Sequence, residues 1–180
     1  MRNANEMYQF CLDNGYGQGF NSRNSIKHFG IIEKNLGADE DVLFTFIGIH
    51  NYISMTKHDN NFAYAVTNKR ILLGQKKVIG EAFQSIALNK INDITFQSGI
   101  AYGVITVDAQ TEKFNVAVIK TQANNINSKL HELLFQLKEN SAPSAASSSA
   151  ADELRKFKSL LDDGIITQEE FDMKKTELLS

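Results

Sequence analysis

The sequence of 180 residues contains one cysteine, one proline and no tryptophan. Cys11 alone cannot form an intramolecular disulfide, and no group of cysteines and histidines has the spacing of a zinc site. The longest uncharged run, 42–56, is shorter than the roughly 20 apolar residues of a membrane helix, and the first residues lack the apolar core of a signal peptide. We therefore expect a soluble protein of the reducing cytoplasm, with no integral membrane segment.

The sequence also lacks an excess of charge of either sign. Its 19 lysines and arginines are balanced by 21 aspartates and glutamates, for a net charge of −2. Nonspecific DNA binding depends on a basic face that neutralises phosphates, and an RNA-binding sheet interleaves aromatic with basic side chains. We find neither pattern and expect no nucleic-acid partner. With 42% hydrophobic residues, the chain can form one domain core plus a smaller appendage.

Composition divides the chain at two places. Residues 139–150 are small and polar, contain the only proline, and predict a flexible Ser/Ala linker. Residues 1–23 are mostly aperiodic, with only a short helical possibility at 6–12. Their three glycines at alternate positions from Gly15 fit neither the spacing nor the preceding strand of a phosphate-binding loop. We predict a flexible N-terminal arm over 1–23, a domain over 24–138 and a separate segment over 151–180.

The middle domain is predicted to be rich in β-structure. Apolar residues at helical spacing from Ile26 to Leu36 predict a leading helix over 24–36. Seven short strand-like runs follow without intervening helices: 42–47, 62–66, 70–73, 82–88, 93–97, 102–108 and 113–119. Apolar residues at intervals of three and four from Ala123 to Leu137 predict an amphipathic helix. The expected fold class is α+β, mainly β: a seven-stranded antiparallel barrel or sandwich capped by this helix.

The turn between the second and third strand-like runs carries a hydrophobic-T-N-x-R-hydrophobic motif, and residues 86–94 approximate a later I-x-x-I-x-x-I pattern. Together with the seven strands and the terminal helix, these motifs resemble the bacterial pleckstrin-homology-like (PH-like) domains, in particular the YokE-like PH group. The resemblance covers residues 39–138 and implies a PH-like fold with a binding surface. The residues that match the turn motif are Val66, Thr67, Asn68, Arg70 and Ile71.

The turn residues also have a structural interpretation. Asn68 tolerates left-handed backbone angles and Thr67 can bond to its local backbone, and both properties are typical of a tight turn. Arg70 can then pair with a carboxylate across the hairpin, for which Asp93 is the candidate. We favour this interpretation over a ligand-binding role for Lys69 and Arg70.

Residues 151–180 carry the signals of two short helices. Apolar residues from Leu154 to Leu161 share one helical face, and Gly164 ends that helix. Thr167 and Glu170 have the spacing of a capping box, which predicts the start of a second helix. Units of fewer than about 40 residues usually need outside support to fold, so we expect this helical hairpin to pack against its own domain, a second copy of the chain or another protein.

This hairpin resembles the SHOCT family, the short C-terminal domain of many bacterial proteins. The signature L-x-x-L-L-D-x-G-I-I-T-x-E-E-F-x-x-K-K-x-x-L-L is matched except at its first position, where this chain has Phe157. The resemblance implies oligomerisation or tethering, through contact with another copy or with a protein partner. The residues assigned to that contact are Leu154, Phe157, Leu161, Ile165, Ile166, Phe171 and Leu178.

The sequence offers no recognisable catalytic centre. None of the four histidines belongs to a metal-binding or nucleophile motif. His50, which follows a buried-type strand, is the hardest of them to dismiss, and a deep polar pocket around it would reopen an enzymatic hypothesis. The acidic run 39–41 is interpreted as a solvated loop. We expect a protein that is not an enzyme and has no catalytic residues, cofactor or metal.

Two functional hypotheses remain. The preferred one is a non-catalytic interaction or scaffold protein, of bacterial or prophage origin, with a PH-like binding module and a SHOCT segment for oligomerisation or tethering. The alternative is a peripheral module that binds anionic phospholipids, because the first loop of the wider PH family often holds phosphoinositide head groups. Its candidate residues are Lys57, His58, Lys76 and Lys77. One lysine and one histidine in the first loop are few for an anion site.

Overall fold

A computed structural model describes residues 1–17, 20–141, 154, 157–158, 161 and 167–179, with side chains for all of these except 138–141 and 177–179. The chain divides into two compact units, Met1–Lys138 and Glu139–Ser180. The described helices are α1 (Ala4–Asp13), α2 (Ser22–Glu33), α3 (Lys120–Ser141) and α4 (Gln168–Leu179), with a short 3-10 helix at Leu88–Lys90. The strands are β1 (Val42–His50), β2 (Asn61–Thr67), β3 (Arg70–Lys76), β4 (Glu81–Ala87), β5 (Ile91–Ser98), β6 (Tyr102–Ala109) and β7 (Lys113–Ile119).

The seven strands form one antiparallel sheet in the order β4-β3-β2-β1-β7-β6-β5. β1 joins the two halves of the sheet, because most of its length pairs with β2 while Ile49 and His50 also reach β7. The sheet curls into a half-barrel whose edge strands are β4 and β5. The predicted seven-stranded, mainly β fold is confirmed, although β1 extends to His50 and is longer than the predicted run 42–47.

The inner face of the half-barrel holds the larger hydrophobic core. Its centre is aromatic: the rings of Phe46 and Tyr64 stack with centroids 4.7 Å apart. The predicted amphipathic helix is α3, and its Ala123 and Ile126 are fully buried in this core. Gly103 on β6 allows the helix to come so close, because a Cβ at that position would lie 2.3 Å from the Cβ of Ala123.

The outer face of the sheet is covered by α1 and α2. The prediction of a flexible arm over 1–23 is wrong for α1, whose Met7 and Cys11 are fully buried. β2 directs its large side chains inward and Ala63 and Ala65 outward, which leaves room for helices on the outer face. The local pattern indicated a short helix at 6–12 but not its burial, because the apolar side of α1 is covered by α2 and by the outer face of the sheet, which are distant in the sequence.

The predicted leading helix over 24–36 is α2, which begins at Ser22 and ends at Glu33. The Asn21 side chain caps it by accepting a hydrogen bond from the backbone N–H of Asn24 at 3.2 Å. The helix lies close to β3, because a Cβ at Gly74 would lie 2.7 Å from a backbone oxygen of α2. The start of the helix is therefore set by a side-chain cap, which apolar spacing alone does not locate.

In the second unit, α4 begins at the predicted capping box. The Glu170 backbone N–H donates to Thr167 Oγ1 at 3.3 Å, and the Thr167 backbone N–H donates to the Glu170 carboxylate at 2.9 Å, which confirms this prediction. The predicted helix stop at Gly164 and the linker beyond Ser141 lie outside the described residues. Residues 139–141, predicted as the start of the linker, belong instead to α3.

Candidate functional site

The T-N-x-R motif at the β2–β3 turn contributes to a buried ion pair. The Arg70 guanidinium donates to both carboxylate oxygens of Glu40, from Nε and from Nη2, each at 2.8 Å. Nη2 also donates to the carbonyl oxygen of Asn35 at 2.9 Å. The Glu40 side chain is 2% exposed, and its pKa is lowered to about 2, chiefly by the hydrogen bonds from Arg70. The prediction that Arg70 pairs with Asp93 is therefore wrong: its partner is Glu40.

Thr67 and Asn68 attach the same turn to the residues before β1. Thr67 Oγ1 accepts a hydrogen bond from the Arg70 backbone N–H at 3.0 Å and donates one to Glu40 Oε1 at 2.7 Å. Asn68 Oδ1 accepts a hydrogen bond from the Asp41 backbone N–H at 3.1 Å. The acidic run 39–41, interpreted from the sequence as a solvated loop, thus supplies a buried carboxylate to this turn.

A cleft of about 860 Å³, here called the barrel mouth, opens between the β1–β2 and β3–β4 connections. Its inner wall consists of side chains that point into the half-barrel from four adjacent strands: His50, Phe62, Gln75 and Gln84. The two connections and α2 complete the rim. Three of the four residues proposed for an anion or lipid site, His58, Lys76 and Lys77, line the mouth, whereas Lys57 does not.

The rim of the mouth carries opposing charges. Lys76 Nζ lies 3.9 Å from the carboxylate of Glu81, which also pairs with Lys34. Asp59 lines the mouth as well and adds a negative charge. Of the described lysines that line the mouth, Lys77 is the one without a carboxylate partner. The mouth therefore has a weakly basic rim, far from the basic cluster that a multiply charged anion requires.

His58 is held within the β1–β2 connection. Its Nδ1 accepts a hydrogen bond from the Asn60 backbone N–H at 3.0 Å, and its Nε2 lies 3.2 Å from the carbonyl oxygen of Met55. Both ring nitrogens are therefore engaged within the loop. This geometry stabilises the loop and leaves His58 little capacity to hold a ligand.

His50 forms part of the inner wall of the mouth and is 5% exposed. Its Nδ1 lies 2.8 Å from the Tyr64 hydroxyl, and its ring centroid lies 4.5 Å from that of Phe62 and 5.4 Å from that of Phe114. Burial lowers the pKa of His50, and Asp59 opposes this in part, so the ring is neutral at pH 7. A polar cleft therefore does surround His50, but within the described chain its hydrogen-bond partner is a buried phenol.

The residues assigned to partner binding lie in the second unit. Four of the seven are described with their side chains, and all four are helical and half-buried: Leu154, Phe157, Leu161 and Phe171. Ile165 and Ile166 lie outside the described residues, and for Leu178 only the helical backbone is described. Lys174 Nζ lies 6.0 Å from the centroid of the Phe157 ring, within range of a cation–π contact.

In the described part of the chain, no three histidine, cysteine, aspartate or glutamate side chains come together as metal ligands. Among the described helices, none combines the length and apolar character that crossing a bilayer requires. The Cys11 thiol lies 3.3 Å from the Thr45 hydroxyl, and burial raises its pKa to about 12, so Cys11 is not a thiolate at neutral pH.

Several solved structures are similar to this chain. One is the Vps36 N-terminal PH domain, at 13% identity and a TM-score of 0.45, covering 57% of this chain and 84% of that chain. Another is the C-terminal domain of an unknown protein from Leishmania infantum, at 16% identity and a TM-score of 0.42, covering 54% of this chain and 87% of that chain. A third is a duf1696 family protein with a pleckstrin-homology domain from Shewanella loihica PV-4, at 13% identity and a TM-score of 0.36, covering 56% of this chain and 84% of that chain. No curated protein matches the chain.

Family models match both parts of the chain. The SHOCT model, described as a short C-terminal domain, matches residues 152–179. The bacterial PH domain model matches residues 36–132, more than half of the chain. Both resemblances drawn from the sequence motifs are confirmed. The chain therefore belongs to the bacterial PH domain family, and a SHOCT domain follows its PH domain.

Proposed function

We propose that this chain is a non-catalytic binding protein whose SHOCT segment, residues 151–180, joins its PH domain to further copies of the chain. The observation that carries the proposal is the incomplete burial of the apolar side chains described in this segment. Leu154, Phe157, Leu161 and Phe171 are each half-buried. Part of their apolar surface is therefore open to a partner.

A second copy of the chain is a suitable partner on energetic grounds. Full burial of a leucine or phenylalanine side chain contributes about 2 kcal/mol, and a unit of fewer than about 40 residues rarely supports itself. Two identical apolar faces can cover one another in a closed, symmetric contact, which is the usual architecture of homo-oligomers. The assembly would present two or more PH domains together, so their binding would gain from multivalency.

The test is the solution mass of the full chain, measured by light scattering after size exclusion. We expect the chain to be an oligomer and the Phe171→Glu variant to be a monomer, because a charge would have to be buried in the contact. Met173→Glu is the matched control, since Met173 lies on the same helix and is 68% exposed. A monomeric wild-type chain, or an F171E variant that still associates, would contradict self-association through this segment.

A second candidate function, binding to an anionic membrane surface, is favoured by the β3–β4 turn. Val78 is 104% exposed and Ile79 is 90% exposed, although glycine, asparagine, aspartate and proline are the usual turn residues. Lys76 and Lys77 precede them. Aliphatic side chains in the bilayer interface would each contribute about 1–2 kcal/mol, and each lysine near anionic lipids would add about 1 kcal/mol.

This candidate is tested by co-sedimentation with vesicles that contain phosphatidylserine. We expect binding that falls with added salt and drops at least about fivefold in a V78S/I79S variant, because the inserted apolar area is lost. Ile100→Ser is the control, because Ile100 is 98% exposed on a different turn. Equal binding to neutral vesicles, or no effect of V78S/I79S, would remove this candidate.

A further inference from the structure

The half-barrel has an open sheet edge at β5. This strand is the last in the sheet, and among the described strands β6 is the one that pairs with it. The Gly99 N–H donates to the Tyr102 carbonyl oxygen at 2.8 Å in the turn that joins the two strands. In an antiparallel ladder every second residue makes such bonds to its neighbour strand. Counting back from Gly99 in the observed register, Gln97 and Thr95 direct their backbone groups at β6.

The alternate residues of β5 direct their backbone groups away from the sheet. These are Ile94, Phe96 and Ser98, in a register that is unbroken from Asp93 onwards. A separate contact agrees with this phase, because the Ile94 N–H donates to Asp93 Oδ1 at 2.8 Å. Phe96 and Ser98 therefore present N–H and C=O groups at the open edge. Residues 94–98 include no charged residue and no proline, the usual features that prevent an edge strand from pairing further.

A small pocket lies next to this edge, between the start of β5 and α3. Its volume is about 180 Å³. The residues that line it are 91–94 on the strand side and His131, Leu134 and Phe135 on the helix side. Ile91, Ile94 and Leu134 are buried parts of the core, whereas Phe135 is 64% exposed. We call residues 94–98 and this pocket together the β5–α3 groove.

The size of the pocket limits what it can hold. A protein cavity of about 150 Å³ accommodates benzene, whereas sites for whole small molecules usually measure about 300–1,000 Å³. The pocket therefore suits one aromatic or branched apolar side chain. Together with the open edge beside it, this indicates an extended polypeptide as the occupant, because such a chain supplies both backbone hydrogen bonds and a side chain.

The pocket also has one carboxylate without a cationic partner. Asp93 lines it and is exposed, and none of the ion pairs between described residues includes Asp93. Two other carboxylates nearby are paired: Asp108 lies 3.1 Å from Lys113, and Glu132 lies 2.9 Å from Lys129. A basic side chain in the occupant would complement Asp93.

This charge distinguishes a foreign segment from a second copy of the chain. Pairing of two β5 strands would bring a second Asp93 to the groove, and residues 91–98 contain no lysine or arginine to oppose it. Two copies would therefore leave both carboxylates without a partner. A segment of another protein is free to carry the basic residue that the groove lacks.

We propose that the β5–α3 groove binds an extended segment of another protein, which adds a strand to β5. The segment places one aromatic or branched apolar side chain in the pocket and one basic side chain at Asp93, while its backbone bonds to Phe96 and Ser98. The proposal rests on the binding role proposed above for the PH domain and names the class of its partner. It does not depend on association through the SHOCT segment.

The probes are three fluorescein-labelled peptides. Each has the sequence Thr-Val-Thr-Val-Thr followed by a lysine, with a phenylalanine one, two or three residues beyond the lysine and serine as the spacer. Threonine and valine favour the extended conformation. The peptides are titrated with the full chain at pH 7.5, and binding is followed by fluorescence anisotropy. We expect at least one of them to bind with a dissociation constant of about 10–100 μM.

Two altered peptides test the mode of binding. With alanine in place of phenylalanine, the peptide that binds best should bind at least about tenfold more weakly, because the pocket loses its apolar occupant. Replacement of its central Thr-Val by Pro-Pro should have an effect of similar size. One of these two residues must direct its N–H at β5, and proline has none to donate.

Hydrogen exchange of the isotope-labelled full chain shows where the peptide lies. The Phe96 N–H is directed at the open edge, so its exchange should slow at least about fivefold when the peptide is bound. The Thr95 N–H is already bonded to β6 and should change little. This adjacent pair of amides provides an internal control.

Variants of the chain test the pocket. Phe135→Ala should weaken binding at least about fivefold, and Leu12→Ala is the matched control, since Leu12 is an exposed apolar residue of α1. Asp93→Asn should weaken binding of the lysine peptide about threefold and leave a peptide with glutamine at that position unaffected. The asparagine oxygen can still accept from the Ile94 N–H, so this variant keeps the local structure.

The proposal fails if none of the three peptides binds at about 1 mM chain. It also fails if the bound peptide leaves exchange of the Phe96 N–H unchanged, or if F135A binds the peptide as well as the wild-type chain does. F171E should bind the peptide with wild-type affinity, so failure of SHOCT association and failure of this groove give separate results. Peptide-induced changes confined to the barrel mouth would overturn the proposal in favour of a site there.

Discussion

Glu40 and Arg70 hold the residues before β1 against the β2–β3 turn. The carboxylate is almost fully buried, and its two oxygens accept three hydrogen bonds from Arg70 and Thr67. Such a pair is well satisfied while both partners are present, but removal of one partner leaves a charge with no nearby counter-charge. The Arg70 side chain is 28% exposed, so water recovers part of that loss.

We predict that Glu40→Gln lowers the free energy of unfolding at pH 7 by about 2–3 kcal/mol, through loss of the charge-assisted bonds to Arg70. The pKa of Glu40 is depressed from 4.5 to about 2 in the folded chain, so the stabilisation is complete above about pH 4.5 and disappears as the pH falls towards 2. The measurement is urea unfolding of the wild-type chain and of E40Q between pH 2 and pH 7.

Asp39→Asn is the matched control, because Asp39 is the exposed neighbour of Glu40 and its substitution should change stability by less than about 0.5 kcal/mol. A difference between the wild-type chain and E40Q that stayed constant from pH 7 to pH 2 would show that the ionised carboxylate is not the source of the stabilisation.

Helices pack on both faces of the sheet at positions where a strand has no side chain. Gly103 on β6 receives α3 on the inner side, and Gly74 on β3 receives α2 on the outer side. At both positions a Cβ would lie under 3.0 Å from its nearest neighbour. These glycines are required for close approach, not for an unusual backbone angle, so their substitution acts through packing of the helix.

We predict that Gly103→Ala destabilises the first unit by about 1–3 kcal/mol, because the new methyl group overlaps Ala123 and forces α3 away from the sheet. Gly30→Ala is the contrasting variant: a Cβ at Gly30 has no neighbour within 4 Å, and alanine is the better helix former, so α2 should gain up to about 1 kcal/mol. Thermal unfolding followed by circular dichroism measures both. A G103A variant as stable as the wild-type chain would show that α3 can shift without loss.

The sequence was sufficient for elements whose pattern is local. Short strand-like runs between turn residues located all seven strands, and the Thr167–Glu170 spacing located the start of α4. Contacts between distant segments could not be read in this way. The burial of Glu40 depends on an arginine thirty positions later. The buried side of α1 exists only where α2 and the outer face of the sheet come together. His50 and Gln75 line the same mouth only because β1, β2 and β3 are neighbours in the sheet.

At the scale of the whole molecule, two histidines, His28 and His50, line the barrel mouth from opposite faces of the sheet. His28 of α2 accepts a hydrogen bond at Nδ1 from the Lys76 backbone N–H at 2.8 Å, and His50 lies in the inner core. Burial lowers the pKa of both. The unfolded chain therefore takes up protons more readily than the folded chain as the pH falls below the ordinary histidine value of about 6.5.

We predict that the chain loses stability between pH 7.5 and pH 5.5, because protonation of His28 and His50 favours the unfolded state. His28→Gln should make this pH dependence shallower, since the glutamine oxygen can still accept from the Lys76 N–H but does not titrate. Urea midpoints at the two pH values are compared, with His131→Gln on the exposed side of α3 as the control. The same pH dependence in H28Q as in the wild-type chain would contradict this role.

The cover that α1 and α2 form over the outer face has a practical consequence for work on this family. The family match begins at residue 36, after both helices, and ends at residue 132, before the end of α3. A fragment expressed between those limits would uncover an apolar sheet face that includes Ile47 and Leu72, both fully buried in the whole chain. It would aggregate, or bind hydrophobic material that the intact chain never meets. Binding measured on such a fragment would report on this artificially exposed sheet face. Experiments on the PH domain should therefore keep the two helices that precede it.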